Sequence, residues 1–251
     1  MSDGNSSSPK GTTVEAAGAI SHVPMLRTLE EKVDPSHAAL VVIDVQNDFC
    51  APGGMMDGEG LDLSHAQAMA ERIPGLLDAA RGAGLLVVFV RNVYSSEGNA
   101  YLSDVWLEQA ARRRGDSYTK RDVCAADSWE GDFYGDVRPL PGEPIVTKHR
   151  FNAFLNTDLQ TILRANGIRT VMFSGVATNV CVETTARDAF LRDFYVVLLD
   201  DATATYSEAD HKATLSNIDR NFGQVATIAD VVAIWGTGSL ATAEPEKAAA
   251  G

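Results

Sequence analysis

Short apolar runs, each closed by a polar or charged residue, recur along this chain with helix-patterned stretches between them. The first, Ala38-Ala39-Leu40-Val41-Val42-Ile43, is apolar throughout and ends at Asp44. A strand with one wet face alternates in polarity. An unbroken run marks a strand covered on both faces, the condition of a parallel sheet. Leu85-Leu86-Val87-Val88-Phe89-Val90, ended by Arg91 and Asn92, repeats the pattern. Shorter versions are Pro144-Ile145-Val146-Thr147, ended by Lys148, and Thr170-Val171-Met172-Phe173. Phe194 to Leu199, ended by Asp200-Asp201, is another, and Val225 to Ile228 reads as a last edge strand. Helical spacing covers Leu63 to Gly82, with Pro74 inside it, then Leu155 to Asn166, stopped by Gly167, and Ser207 to Phe222. A further helix, Val180 to Arg192, turns Val182, Thr185, Ala186, Ala189 and Phe190 inward. The alternation predicts an α/β fold: a single-domain three-layer sandwich with a mostly parallel, doubly wound sheet of about six strands. Right-handed crossovers bring the carboxyl ends of such strands to one edge, where ligands bind.

Residues 1–35 read as an N-terminal tail or arm, partly disordered, because the first part is rich in Gly, Ser, Thr and Ala. The domain spans 36–236, and 237–251 read as a flexible C-terminal tail. Between Tyr94 and Leu140 the chain is polar and irregular, with a helix near Leu102 to Arg114. An excursion of that length is expected to serve as a lid or a subunit contact. No apolar run approaches the ~20 residues of a membrane span, and no apolar signal core opens the chain. The cysteine count is 3 (Cys50, Cys124, Cys181), which favours reduced thiols and a cytoplasmic location. A net charge of −13 argues against nucleic acid or an anionic membrane as partner.

Before Cys181, the segment Ser174-Gly175-Val176-Ala177-Thr178-Asn179 is a tight turn opening a helix. Free N–H groups and the positive end of the helix dipole meet there, so a lowered thiol pKa is expected for Cys181. The same topology brings Asp44 and Lys148 to that edge. A carboxylate, an ammonium and a thiol together make a workable nucleophilic centre. Asp44 is the candidate general base. Lys148 pairs with it and favours the thiolate, and the N–H groups of Ala177 and Cys181 are candidates to receive an oxyanion. Cys50 and Cys124 lack such a context and read as structural. His149, beside Lys148, is a candidate to face the site. No Gly-x-Gly-x-x-Gly and no Walker-type loop is present, and His22, His37, His65, His149 and His211 lack metal-ligand spacing. Neither cofactor nor metal is expected.

At these residues the sequence resembles the isochorismatase-like cysteine hydrolase superfamily, over about Ala38 to Trp235. The family's first signature stands as Ile43-Asp44-Val45-Gln46-Asn47-Asp48-Phe49, followed by Pro52-Gly53-Gly54. The second is the strand-ending Lys148, and the third is Ser174-Gly175-Val176-Ala177-Thr178-Asn179-Val180-Cys181-Val182. The resemblance implies that Asp44, Lys148 and Cys181 are a catalytic triad, with a cis peptide before Ala177. The nearest branch is the amidohydrolases of ureido and carbamoyl compounds: the ureidoacrylate, biuret and N-carbamoylsarcosine families. Lys148 to Thr157 and Asn92-Val93-Tyr94 carry that likeness. Two departures stand out. Nicotinamidases carry a metal site and Trp-His-Pro where this chain has Asn92-Val93-Tyr94-Ser95, and ureidoacrylate enzymes tend to Lys-Pro-Arg-Tyr where this chain has Lys148-His149-Arg150-Phe151. The implied activity is hydrolysis of a C–N bond in a small ureido or carbamoyl amide, with Phe49, Asn92, Tyr94, Arg150 and Phe151 as candidate substrate contacts. A homodimer or homotetramer is implied as well. The alternatives are another small linear amide, maleamate- or nicotinamide-like, and a non-catalytic binding protein on the same fold.

Overall fold

The computed structural model describes residues 23–95, 100–114 and 117–238. The segments expected to be disordered, 1–21 and most of 237–251, fall outside them. The described chain runs α1 (Leu29–Lys32), β1 (Ala38–Ile43), α2 (Asn47–Cys50), α3 (Met55–Gly58), α4 (Ser64–Gly82) and β2 (Leu86–Asn92). It continues with α5 (Asp104–Arg114), α6 (Ser117–Lys120), β3 (Ile145–Lys148), α7 (Leu159–Ala165) and β4 (Thr170–Val176). A π-helical turn (Thr178–Val182) leads into α8 (Glu183–Leu191), then β5 (Tyr195–Ala204), α9 (Glu208–Asn221), β6 (Gln224–Ala226) and α10 (Ile228–Gly238).

The strands form one 6-stranded sheet in the order β3-β2-β1-β4-β5-β6. All its pairings are parallel. The apolar run of β1 divides as a doubly covered strand must. Ala38, Leu40 and Val42 join the core beneath α4 and α10, and Ala39, Val41 and Ile43 join the core beneath α7, α8 and α9. The chain starts at β1 and winds outward in both directions, so the crevice lies where the ends of β1 and β4 part.

Gly175 sets that crevice. Its φ is +108°, and a Cβ there would lie 1.9 Å from the Ile43 carbonyl oxygen. Only glycine lets β4 press so closely on β1. The β4–β5 register shifts between Phe173 and Gly175, and Gly175 and Val176 pair with Thr203 and Ala204. That shift explains why β5 continues past Asp200-Asp201, where the sequence suggested an end. The peptide between Val176 and Ala177 is cis, as the resemblance implied.

Other boundaries moved for local reasons. The helix expected from Leu155 begins only at Leu159, because the Thr157 hydroxyl bonds the Ala153 carbonyl and competes with helical pairing. Phe190 was expected to point inward. It is 45% exposed, lying edge-on to Phe222, because it sits a full residue step round α8 from the buried Ala189. The last helix, α10, was not foreseen. Thr227 and Asp230 cap each other's backbone N–H groups at its start, a Thr-x-x-Asp signal that stands in the sequence. Residues 23–35 pack against the far edge of the domain: Lys32 donates to Gln224 at 2.9 Å, and Trp235 donates to the Val33 carbonyl at 2.9 Å. No helix among the described residues is long and apolar enough to cross a membrane.

Candidate active site

Asp44 follows the last residue of β1 and takes a left-handed φ of 53°. The side chain thereby leaves the strand direction, in a conformation aspartate tolerates better than most residues. Lys148 ends β3, two strands away across the end of β2. Adjacent strands lie about 4.8 Å apart, so only a long side chain bridges the gap of roughly 10 Å. The Lys148 Nζ does so. It stands 2.7 Å from Asp44 Oδ2, donates to Cys181 Sγ at 3.4 Å, and donates to the Arg150 carbonyl at 3.0 Å. Two of its protons are thereby directed at the sulfur and the Arg150 carbonyl, while its charge faces Asp44. Asp44 and Lys148 are both 0% exposed and Cys181 is 6% exposed. Neither Asp44 oxygen receives a well-aligned hydrogen bond from the described residues. The pair is therefore held chiefly by charge.

Burial pushes the Asp44 carboxyl above its ordinary value, although Lys148 opposes the shift. Burial works against the Lys148 ammonium, but Asp44 and Cys181 more than offset it, and the net direction is up. The Cys181 thiol is pushed up to about 12, by burial first, with Asp44 adding to it and Lys148 opposing. This corrects the expectation of a lowered pKa. Cys181 is 6% exposed, and its desolvation outweighs the help from the Lys148 charge. Both shifts favour the protonated forms of Lys148 and Cys181.

Above these groups is a cavity of about 220 Å³. Asp44, Val176, Ala177, Asn179, Val180 and Cys181 form its floor, and Thr205, Tyr206, Ser207 and Asp210 form one wall. Of the candidate substrate contacts, Phe49, Tyr94 and Phe151 line it. Asn92 and Arg150 do not. Asn92 is fully buried at the end of β2, next in register to Lys148. Arg150 donates to the Tyr101 and His149 carbonyls and lies 5.3 Å from the Trp106 ring centre. His149 also stays outside, stacked on Tyr101 and bonded to the Val93 carbonyl. Cys50 and Cys124 are buried away from the cavity.

The roof was not legible in the sequence beyond the expectation of a lid. Trp106, Gln109, Ala110 and Arg113 of α5 and Tyr118 of α6 supply it. Trp106 lies 5.0 Å from Tyr94 and 4.6 Å from Phe151, ring centre to ring centre, and Tyr118 lies 5.4 Å from Tyr94. The cavity is therefore boxed by ring faces and edges. The buried Asp48 ties the roof down. Its carboxylate accepts from the N–H groups of Met55 and Cys124, at 2.8 and 2.7 Å, and pairs with Arg121 at 3.0 Å. Among the described residues, no three His, Cys, Asp or Glu side chains gather as a metal ion requires.

The chain is similar to known proteins in sequence and in fold. A family model described as the isochorismatase domain matches residues 38–230. Ureidoacrylate amidohydrolase RutB of Caulobacter vibrioides is 37% identical over 210 residues, covering 81% of this chain and 93% of that protein. The protein of the same name from Variovorax paradoxus is 38% identical over 203 residues, covering 78% and 81%. A crystal structure of a cysteine hydrolase from Pseudomonas syringae pv. phaseolicola superposes with a TM-score of 0.70 at 28% identity, covering 86% of this chain and 99% of that one. N-carbamoylsarcosine amidase from Thermoplasma acidophilum superposes at 0.60 with 25% identity, covering 76% and 96%. With its parallel sheet, its crevice and a match over almost all the described residues, this chain belongs to the isochorismatase family.

Proposed function

We propose that this protein is a cysteine amidohydrolase that cleaves the C–N bond of a small, flat ureido or carbamoyl amide. The observation that carries the reading is one ammonium in contact with both a carboxylate and a thiol at the floor of a ring-lined cavity. Proton transfer from Cys181 to Asp44 leaves the net charge of the three groups unchanged. Lys148 exchanges one anionic neighbour for another, so no buried charge is stranded at any point. The raised carboxyl of Asp44 makes it a better proton acceptor than an ordinary aspartate.

The thiolate then attacks the amide carbonyl carbon, and the oxyanion is received by the N–H groups of Ala177 and Cys181. Asp44 returns the proton to the departing nitrogen, which leaves as ammonia or an amine. An S-acyl or S-carbamoyl group remains on Cys181. Water gives a proton to Asp44, adds to that group, and releases the acid while the sulfur regains its proton. The rings of Tyr94, Trp106, Tyr118 and Phe151 favour a flat substrate over a branched one. Burial holds the Tyr94 phenol well above its ordinary pKa, so this lining residue keeps its hydroxyl proton.

The test is ammonia release across a panel holding ureidoacrylate, biuret, N-carbamoylsarcosine, maleamate and nicotinamide. Mass spectrometry of acid-quenched mixtures then looks for the acyl adduct on the Cys181 peptide. Turnover of a ureido compound with a trappable adduct is the expected result. Preference for maleamate or nicotinamide would overturn the substrate class, and turnover without sulfur modification would count against the covalent route. The pH profile is a second expectation. Asp44 must be ionised to accept the proton, and its pKa is raised, so kcat/KM falls in acid with a midpoint above about 4. On the alkaline side it stays level past about pH 8.5, where an ordinary thiol ionises, because Cys181 holds its proton. An alkaline limb at that ordinary thiol value would mean the sulfur is wetter than its burial indicates.

A further inference from the structure

The turn that carries Cys181 is fastened from outside the sheet by one helix. Along one face of α9, His211, Thr214 and Asn217 reach it. Thr214 and Asn217 donate to the Glu183 carboxylate at 2.7 and 3.1 Å, at the point where the π turn becomes α8. His211 reaches further in. Its Nδ1 lies 2.9 Å from the Thr178 hydroxyl, and its Nε2 lies 2.9 Å from Asp200 Oδ1 on β5. Thr178 is fully buried and opens the turn that holds Cys181.

The chemistry of this chain of contacts runs one way. A carboxylate only accepts, so Asp200 holds the imidazole proton on Nε2. In the neutral ring Nδ1 is then the acceptor, and the Thr178 hydroxyl donates to it. Thr178 is thereby locked in one rotamer at the start of the turn. None of the three residues lines the cavity. Their influence on chemistry passes through the placement of sulfur, and a nucleophile misplaced by about 1 Å loses on the order of 100-fold in rate.

We propose that His211 is a positioning residue for the nucleophile: oriented by Asp200, it clamps Thr178 and so fixes where the Cys181 sulfur stands relative to Asp44 and Lys148. The inference rests on the reading of Cys181 as the attacking group. The experiment compares His211→Ala, Thr178→Val, their double variant and Thr178→Ser with the parent, using the full chain. Ammonia release gives kcat and KM. Iodoacetamide labelling of Cys181, followed on its peptide, reports on the sulfur without any substrate.

Each of the first two variants is expected to lower kcat by about 10- to 100-fold with KM within about threefold, because the cavity walls are untouched. The double variant should be no slower than the slower single one, since both break the same contact. Cys181 labelling should differ from the parent by about fivefold or more, by a common factor in these three variants. Thr178→Ser keeps the hydroxyl and should recover kcat to within about threefold of the parent. Multiplying losses in the double variant, a parent-like kcat in either single one, or a serine variant as slow as the valine one would overturn the proposal. If His211→Ala does not fold, the serine–valine comparison at Thr178 decides. If the parent hydrolyses no amide tested, the proposed activity fails while the labelling rates still decide this question.

Discussion

Cys181→Ala is expected to lower kcat/KM for ammonia release by a factor of about 10⁴ or more, with the fold intact. The substitution removes a single buried sulfur and leaves the Asp44–Lys148 pair at 2.7 Å untouched. Loss of one buried heavy atom costs about 1 kcal/mol, a small part of a domain's stability. What disappears is the proposed nucleophile, the thiol that lines the cavity beside Asp44 and Lys148. Cys181→Ser is expected to fall nearly as far. A hydroxyl yields its proton to Asp44 much less readily than a thiol, and the 3.4 Å contact to Lys148 is matched to sulfur. Steady-state rates on the best panel substrate, with thermal unfolding in parallel, check both variants. More than about 1% residual activity in the alanine variant would remove sulfur from the mechanism.

Lys148→Met carries the largest expected effect on stability. It leaves the fully buried Asp44 without its cation, and breaking such a pair from one side costs about 3–5 kcal/mol near neutral pH. The effect has a pH signature. Burial already raises the Asp44 pKa above its unfolded value, and loss of Lys148 removes what opposed the shift. The folded variant then binds the Asp44 proton more tightly than the unfolded chain does. Stability is therefore fully retained below the unfolded value, about 3.9, and is lost as pH rises through the folded one. The gap between variant and parent in urea unfolding should widen from pH 5 to pH 8. Adding Asp44→Asn should restore much of the lost stability, because no ion remains to be paired, yet restore no activity. A gap that does not change with pH would mean that water reaches Asp44.

The sheet was legible because burial on both faces writes itself as unbroken apolar runs, and β1 shows this most plainly. Asp44, Lys148 and Cys181 were legible because each closes or follows such a run, and parallel strands bring those ends together. The direction of the Cys181 pKa was not. Sequence places the residue at a helix start but does not reveal how dry that start is. Trp106 and Tyr118 were hidden for a different reason. They reach the cavity through contacts with Tyr94 and Phe151, and nothing local in an irregular stretch announces such partners. Arg150 shows the converse: a basic residue near Lys148 in sequence can spend its guanidinium on backbone carbonyls.

The division of the cavity between a floor of strand ends and a roof drawn from one stretch of chain has a consequence for selectivity. Under the proposed mechanism, substitutions in α5 and α6 should change which compounds enter while Asp44, Lys148 and Cys181 keep their places. The exception is Asp48, the rivet between the two layers, where a change would loosen what enters and what reacts in a single step.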